Sequence, residues 1–201
     1  MINAIVFDIG GVILRTEDRT KRQELESKFG LQPGNVDQLV FNNPKSRAST
    51  LGKALPQDIW QYIAKTLSLS PDGLENFKRD FWSGDRVDRS IIQFLQTYRK
   101  DYKTALLSNA WVNARSIFAE TYGLIEGLTV DLMLISSELG VAKPNHRIYQ
   151  ILSEKLKSEF NEILFVDDFI ENIEAAKLLG IHVIHYQPGM NLIKQLKSML
   201  E

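Results

Sequence analysis

Five short runs of apolar and β-branched residues punctuate the chain: Ala4 to Phe7, Thr104 to Leu107, Leu132 to Ile135, Ile163 to Val166 and Ile181 to Ile184. Polar residues barely interrupt them, so each reads as a strand buried on both faces. Around the last four runs the period changes. Ile91, Phe94, Leu95 and Tyr98 share one helical face ahead of the second run, and Ile170, Ile173 and Ala176 do so after the fourth. Strands alternating with helices predict an α/β fold with a parallel, doubly wound sheet.

The long stretch between the first two runs offers no convincing buried strand and reads as helical. Glu17 to Phe29 is charged and ends at Gly30. Pro56 to Leu67 carries Ile59, Ile63 and Leu67 at four-residue spacing, and Pro71 to Trp82 opens with the Pro-Asp of a helix start. Residues 16–86 are therefore expected to form an inserted helical cap subdomain, with 1–15 and 87–201 making the α/β core. Trp60 and Trp82 are assigned to the core of the cap, while Lys45 and Arg47 read as solvated charge, with reach to a substrate phosphate or sugar as the alternative.

Composition narrows the possibilities. A chain of 201 residues, 44% hydrophobic and 24% charged, can bury one good core plus an insertion. Its 24 basic and 25 acidic residues are interspersed, leaving no basic field for nucleic acid. With 0 cysteines there is no disulfide, thiolate metal site or cysteine nucleophile. No apolar stretch approaches the ~20 residues of a membrane span, and MINAIVFD does not fit a secretion signal, so a cytoplasmic location is expected.

Candidate chemistry sits where apolar runs end. In a parallel sheet the ligand site lies beyond the carboxyl ends of the strands, at the point where strand order reverses. The first run exits into Asp8, the second into Ser108 and Asn109, and the fourth into Asp167 and Asp168. Adjacent carboxylates repel, and a third beside them raises pKa values unless a hard divalent cation such as Mg2+ neutralises the group. Other motifs fall away. His182 and His185 lie three apart on a strand, point to opposite faces and are assigned structural roles. Gly10-Gly11 and Gly52-Lys53 lack the spacing or the preceding strand of a nucleotide loop. Ser108-Asn109 could also cap a helix beginning near Asn113.

Taken in order, FDIGGVI at 7–13, LLSN at 106–109, Lys143-Pro144 and FVDDFIENIEAA at 165–176 resemble the four motifs of the haloacid dehalogenase superfamily. The resemblance, helical insertion included, covers nearly the whole chain. It implies a Rossmann-like sheet of order 5-4-1-2-3, bringing the second and fourth runs beside the first. It makes Asp8 a nucleophile, and makes Asp8, the Gly10 carbonyl and Asp168 ligands of Mg2+. Asp167 would join the metal site through a water or an outer contact, and Asn172 would brace it. Ser108 and backbone N–H groups near Asn109 would hold phosphate oxygens, with Lys143 offsetting charge and Pro144 fixing its entry. Gly11, Arg15 and Trp111 are placed toward substrate.

The implied activity is Mg2+-dependent hydrolysis of a small phosphorylated metabolite through an aspartyl-phosphate. One position departs from the pattern. The superfamily's phosphatases usually carry a second Asp two residues after the nucleophile as acid and base, and here Gly10 stands there. That favours a good leaving group, such as an anomeric sugar phosphate or an acyl phosphate. Two alternatives stay open: a 2-haloacid dehalogenase, and a catalytically weakened protein that binds a phosphorylated ligand.

Overall fold

The computed structural model describes residues 1–200. Five parallel strands form the central sheet: β1 (Ala4–Phe7), β4 (Lys103–Ser108), β5 (Leu132–Ile135), β6 (Ile163–Asp167) and β7 (His182–His185). Their order is β5-β4-β1-β6-β7, so β1 lies in the middle with β4 and β6 on either side. Counted along the sheet strands alone, this is the 5-4-1-2-3 order read from the opposite edge. All five apolar runs lie in it.

Side chains alternate across the sheet, and both faces are covered. Ile5, Phe7, Leu106, Leu164 and Val166 pack on one side with residues of α6 (Arg89–Tyr98), α7 (Ala114–Tyr122) and α11 (Leu192–Leu200). Ala4, Val6, Ala105, Leu107, Ile163 and Phe165 pack on the other with α9 (His146–Leu156) and α10 (Ile170–Leu178). Each buried Leu, Ile or Phe contributes about 1.5–3 kcal/mol, and two such layers leave β1 and β6 fully buried. The short helix α8 (Ser136–Leu139) follows β5 directly.

Between β1 and β4 the chain forms α1 (Thr20–Lys28), α2 (Asn35–Phe41), α3 (Pro44–Thr50), α4 (Pro56–Thr66) and α5 (Pro71–Trp82). They enclose their own apolar cluster, including Leu25, Val36, Val40, Ile59, Ile63, Phe77 and Phe81. The helices expected over 17–29, 56–67 and 71–82 are present, although the first begins at Thr20. Two features were not anticipated: α2 with α3, and an antiparallel ribbon of β2 (Leu14–Thr16) against β3 (Asp85–Val87). The stretch without a buried strand thus holds two exposed or half-buried ones, through which the chain leaves and rejoins the sheet layer side by side.

Charge ties the helices to this ribbon. Arg22 of α1 is buried, pairs with Asp37 and with Asp85 (2.8 Å), and stacks over the Phe81 ring at 4.0 Å. Asp85 also accepts from Thr16 across the ribbon at 2.8 Å. A second connection reaches the far side of the sheet layer. The Ser49 hydroxyl accepts from the Val112 N–H at 3.2 Å, and Gly52 lies so near α8 that a Cβ there would sit 2.4 Å from the Ser137 carbonyl oxygen.

Candidate active site

The end of β1 is where four elements deliver polar groups to one point. Asp8 follows Phe7, whose register partners are Leu106 on β4 and Val166 on β6. Asp167 ends β6 level with Asp8, Ser108 ends β4 one residue beyond that level, and Asp168 comes one residue after Asp167. Ligand oxygens of Asp8, Asp167 and Asp168 lie within 4.8 Å of one another. The expected convergence of the three acids is therefore present, at the carboxyl edge of the sheet where strand order reverses.

Lys143, on the loop before α9, is 4% exposed and enters between two of these acids. Its Nζ lies 2.6 Å from Asp167 Oδ2 and 3.0 Å from Asp8 Oδ1. The loop carrying it is anchored by Asn109: the side-chain amide donates to the Lys143 carbonyl at 2.8 Å and accepts from the Lys143 N–H at 2.9 Å. This reciprocal pair occupies the Asn109 side chain. Ser108 and Asn109 do not cap α7; its N-cap residue Asn113 sits at φ 67 and makes no side-chain cap bond.

Asp167 is fully buried and its oxygens are engaged. Oδ1 accepts from the Phe169 N–H (2.8 Å) and Asn172 Nδ2 (3.0 Å), and Oδ2 from Lys143 and Asn172 Nδ2 (3.1 Å). Such a carboxylate has little capacity left for a cation and serves to hold Lys143 beside Asp8. Asn172 consequently braces Asp167, and Tyr149 fixes Asn172 in turn by donating to its backbone carbonyl at 2.9 Å. Tyr149 was not anticipated, because its position on α9 has the periodicity of an ordinary core residue.

Asp168 is different. Its Oδ1 is buried and unpartnered among the described residues. Its Oδ2 lies over Gly11, where a Cβ would stand 2.0 Å away and where φ is +77, a conformation costly for other residues. Burial pushes the Asp8 carboxyl up to about 7; Lys143 opposes this, and the charges of Asp167 and Asp168 add to it. Burial, then the neighbouring Asp167, raises Asp168 to about 6. An orphaned buried oxygen beside a second strained carboxylate is the donor set that a hard divalent ion satisfies.

Three expected substrate contacts are otherwise employed. The Gly11 N–H donates to the Leu14 carbonyl at 2.9 Å, so the residue serves close approach to Asp168 instead of phosphate binding. Arg15 commits its guanidinium to the ribbon, with Glu17 and Asp88 each at 2.9 Å and the Val12 carbonyl at 2.5 Å. Trp111 packs 5.8–6.4 Å from the rings of Phe41, Trp60 and Trp82, closing the aromatic cluster of the helical segment. Near Asn109, the Ala110 N–H is taken by Ser136 Oγ at 3.1 Å. The Ser108 hydroxyl, 3% exposed as a residue, has no side-chain partner among the described residues.

Comparison with known proteins agrees with this geometry. A D-ribitol-5-phosphate phosphatase from Bacteroides thetaiotaomicron is 27% identical over 208 residues, covering 100% of this chain and 99% of that one. Several other curated relatives are much longer: the chain spans 10% of the mouse acyl-CoA dehydrogenase family member 10, at 30% identity over 105 residues, and 39% of the pig bifunctional epoxide hydrolase 2, at 26% identity over 214. Among solved structures, a HAD family enzyme from Bacteroides thetaiotaomicron in a magnesium complex superposes with a TM-score of 0.79 at 19% identity, covering 98% of each chain. The L-2-haloacid dehalogenase of Xanthobacter autotrophicus gives 0.64 at 20% identity, covering 98% of this chain and 83% of that one. The haloacid dehalogenase-like hydrolase model matches residues 2–180, and with the motif residues gathered at one strand edge, the chain belongs to the haloacid dehalogenase-like hydrolase family.

Proposed function

We propose that the protein is a Mg2+-dependent phosphatase acting on a small phosphorylated metabolite, with Asp8 as nucleophile. The observation that carries this reading is the meeting of Asp8 and the unpartnered Asp168 oxygen at a point flanked by Lys143. Asp8, Asp168 and the Gly10 carbonyl would hold the ion, with Asp167 acting only through Lys143. Bound there, Mg2+ supplies charge neutralisation of the phosphate and of the carboxylates around it.

Asp8 Oδ1 is held by the Ile9 N–H at 2.6 Å and by Lys143. The other oxygen attacks phosphorus; an O–P bond forms as the bond to the leaving oxygen breaks. Water then attacks the aspartyl-phosphate, releasing inorganic phosphate and regenerating the carboxylate. Lys143 offsets negative charge on the transferring group, and the Ser108 hydroxyl donates to a phosphate oxygen. The helices α1–α5, docked through Ser49 and Gly52, act as the cap that limits water. With Gly10 in place of an acid, the leaving group departs without a positioned proton, which favours acyl and anomeric phosphates over alkyl phosphates.

The test is a panel of phosphate esters with Mg2+ and with EDTA. Acetyl phosphate or p-nitrophenyl phosphate is expected to be hydrolysed with Mg2+ and not with EDTA. Halide release from a haloacid in EDTA would replace this reading with the dehalogenase. Tight binding of phosphate esters with no turnover would replace it with a ligand-binding protein.

A pH dependence follows from the raised acids. Their folded-state values, about 7 for Asp8 and about 6 for Asp168, exceed the ordinary 3.8. Stability from the protonated forms is full below the ordinary value and is lost as pH rises through the raised ones. Ionisation that weakens the metal-free protein also creates the cation site, so the rise in melting temperature on adding Mg2+ should be larger at about pH 8 than at about pH 5. Melting scans with and without Mg2+ measure it; an equal rise at both pH values would contradict the prediction.

A further inference from the structure

Of the three acids, Asp8 and Asp167 are oriented by donors to their own oxygens, whereas Asp168 has a buried oxygen with none. Its direction must be set through its backbone. Residue Asp167 is the last of β6, paired in register with His185 at the end of β7, and the Tyr186 N–H closes on the Asp167 carbonyl at 2.8 Å. There the backbone ladder between the two strands stops. The next carbonyl, that of Asp168, is met by a side chain: His185 Nε2 lies 3.0 Å from it. A carbonyl oxygen only accepts, so Nε2 carries the hydrogen, in the neutral ring as in the charged one.

The demand for such a constraint is visible on the other side of Asp168. Its carboxylate occupies the space a Cβ at Gly11 would fill, with Oδ2 2.0 Å from that position. A small rotation of the Asp168 peptide would drive the carboxylate into the Gly11 backbone or swing it away from Asp8.

We propose that His185 is a positioning residue for the cation site: it extends the β6–β7 pairing by one side-chain hydrogen bond and so fixes the direction of the Asp168 carboxylate. This rests on the reading of Asp8 and Asp168 as Mg2+ ligands. The histidine, assigned a merely structural role from its sequence position, is thereby given a specific one. Partners of this kind, which orient a ligand without touching the metal, commonly set about 10- to 100-fold in metal affinity.

The experiment measures Mg2+ binding by calorimetry to the metal-free protein, comparing wild type with His185→Ala, His185→Gln and Asp168→Asn. A glutamine amide can donate to the same carbonyl. His185→Ala is expected to weaken Mg2+ by about 10- to 100-fold, and His185→Gln by less than about threefold. Asp168→Asn is expected to abolish binding. If Asp168→Asn binds Mg2+ like wild type, the metal reading itself fails. Should Asp168→Asn lose the ion while His185→Ala keeps wild-type affinity, the positioning role alone is overturned. Equal losses in the alanine and glutamine variants would also overturn it, since shape and not the hydrogen bond would then be responsible.

Discussion

Replacing Asp8 with Asn is expected to lower turnover of a phosphate ester by roughly 10⁴- to 10⁶-fold, the scale on which hydrolases lose activity without a member of the nucleophilic machinery. The substitution keeps the side chain's shape at a site that is 7% exposed and closely packed. What changes is charge and nucleophilicity: an amide oxygen does not form the phosphoenzyme. The fold should survive and even gain at neutral pH, because burial already pushes the Asp8 carboxyl up to about 7, which means the ionised form is costly there. The Lys143 ammonium would lose one of its two carboxylate partners but keep Asp167 at 2.6 Å. Steady-state kinetics with p-nitrophenyl phosphate and a melting scan in EDTA check the two halves. A folded Asp8→Asn variant with undiminished kcat would end the covalent mechanism.

The positions of the acids were legible in the sequence for a physical reason. A buried parallel strand is an apolar run, and its exit residue lies at the ligand-binding edge whatever the rest of the chain does. Asp8 and Asp167 could thus each be placed at that edge once five runs and their intervening helices were recognised, while their adjacency came from the strand order that the family resemblance implies. Lys143 has no such local signal; it sits on a loop, and only the resemblance to a known family brought it to the site. The ribbon of Leu14–Thr16 and Asp85–Val87 escaped because three-residue strands rich in charge carry no alternation to detect. Helix α3 also lacks an apolar stripe, although its start was readable: Asn43 accepts from the N–H groups of Lys45 and Ser46, and Pro44 occupies the first turn.

The substrate contacts fared differently, and again the cause is physical. Sequence order places Arg15, Trp111 and Gly11 near the strand edge, yet proximity in sequence does not say which neighbour a polar or aromatic group prefers. Arg15 found two carboxylates in the ribbon, and Trp111 found Phe41, Trp60 and Trp82. Gly11 is required for its missing side chain, beneath Asp168, and its N–H is spent on Leu14. Asp167 was read as part of the metal site, and its saturation by Lys143, Asn172 and the Phe169 N–H could be seen only in three dimensions.

Substituting Gly10 with Asp is expected to raise kcat on a simple alkyl phosphate by about 10²- to 10⁴-fold, the contribution a positioned acid and base makes to proton transfer. The backbone admits the change. A Cβ built at Gly10 meets nothing within 4 Å, in contrast with the 2.0 Å overlap it would make at Gly11. Position 10 also lies two residues beyond the nucleophile, on the turn that carries the chain from β1 into the ribbon, so a carboxyl there starts close to the leaving oxygen. The gain should depend on the leaving group. In kcat/KM, which reports the steps up to departure of the leaving group, acyl and anomeric phosphates should change little and alkyl phosphates should improve most, so the slope of log kcat/KM against leaving-group pKa should flatten. A dehalogenase has no oxygen leaving group to protonate and would gain nothing in halide release from the same substitution. Parallel measurement of both reactions on the Gly10→Asp variant thus separates the two chemistries by which of them speeds up. If alkyl phosphate turnover stays unchanged in a folded, Mg2+-binding variant, then proton transfer is not what limits this site, and the preference for good leaving groups loses its cause.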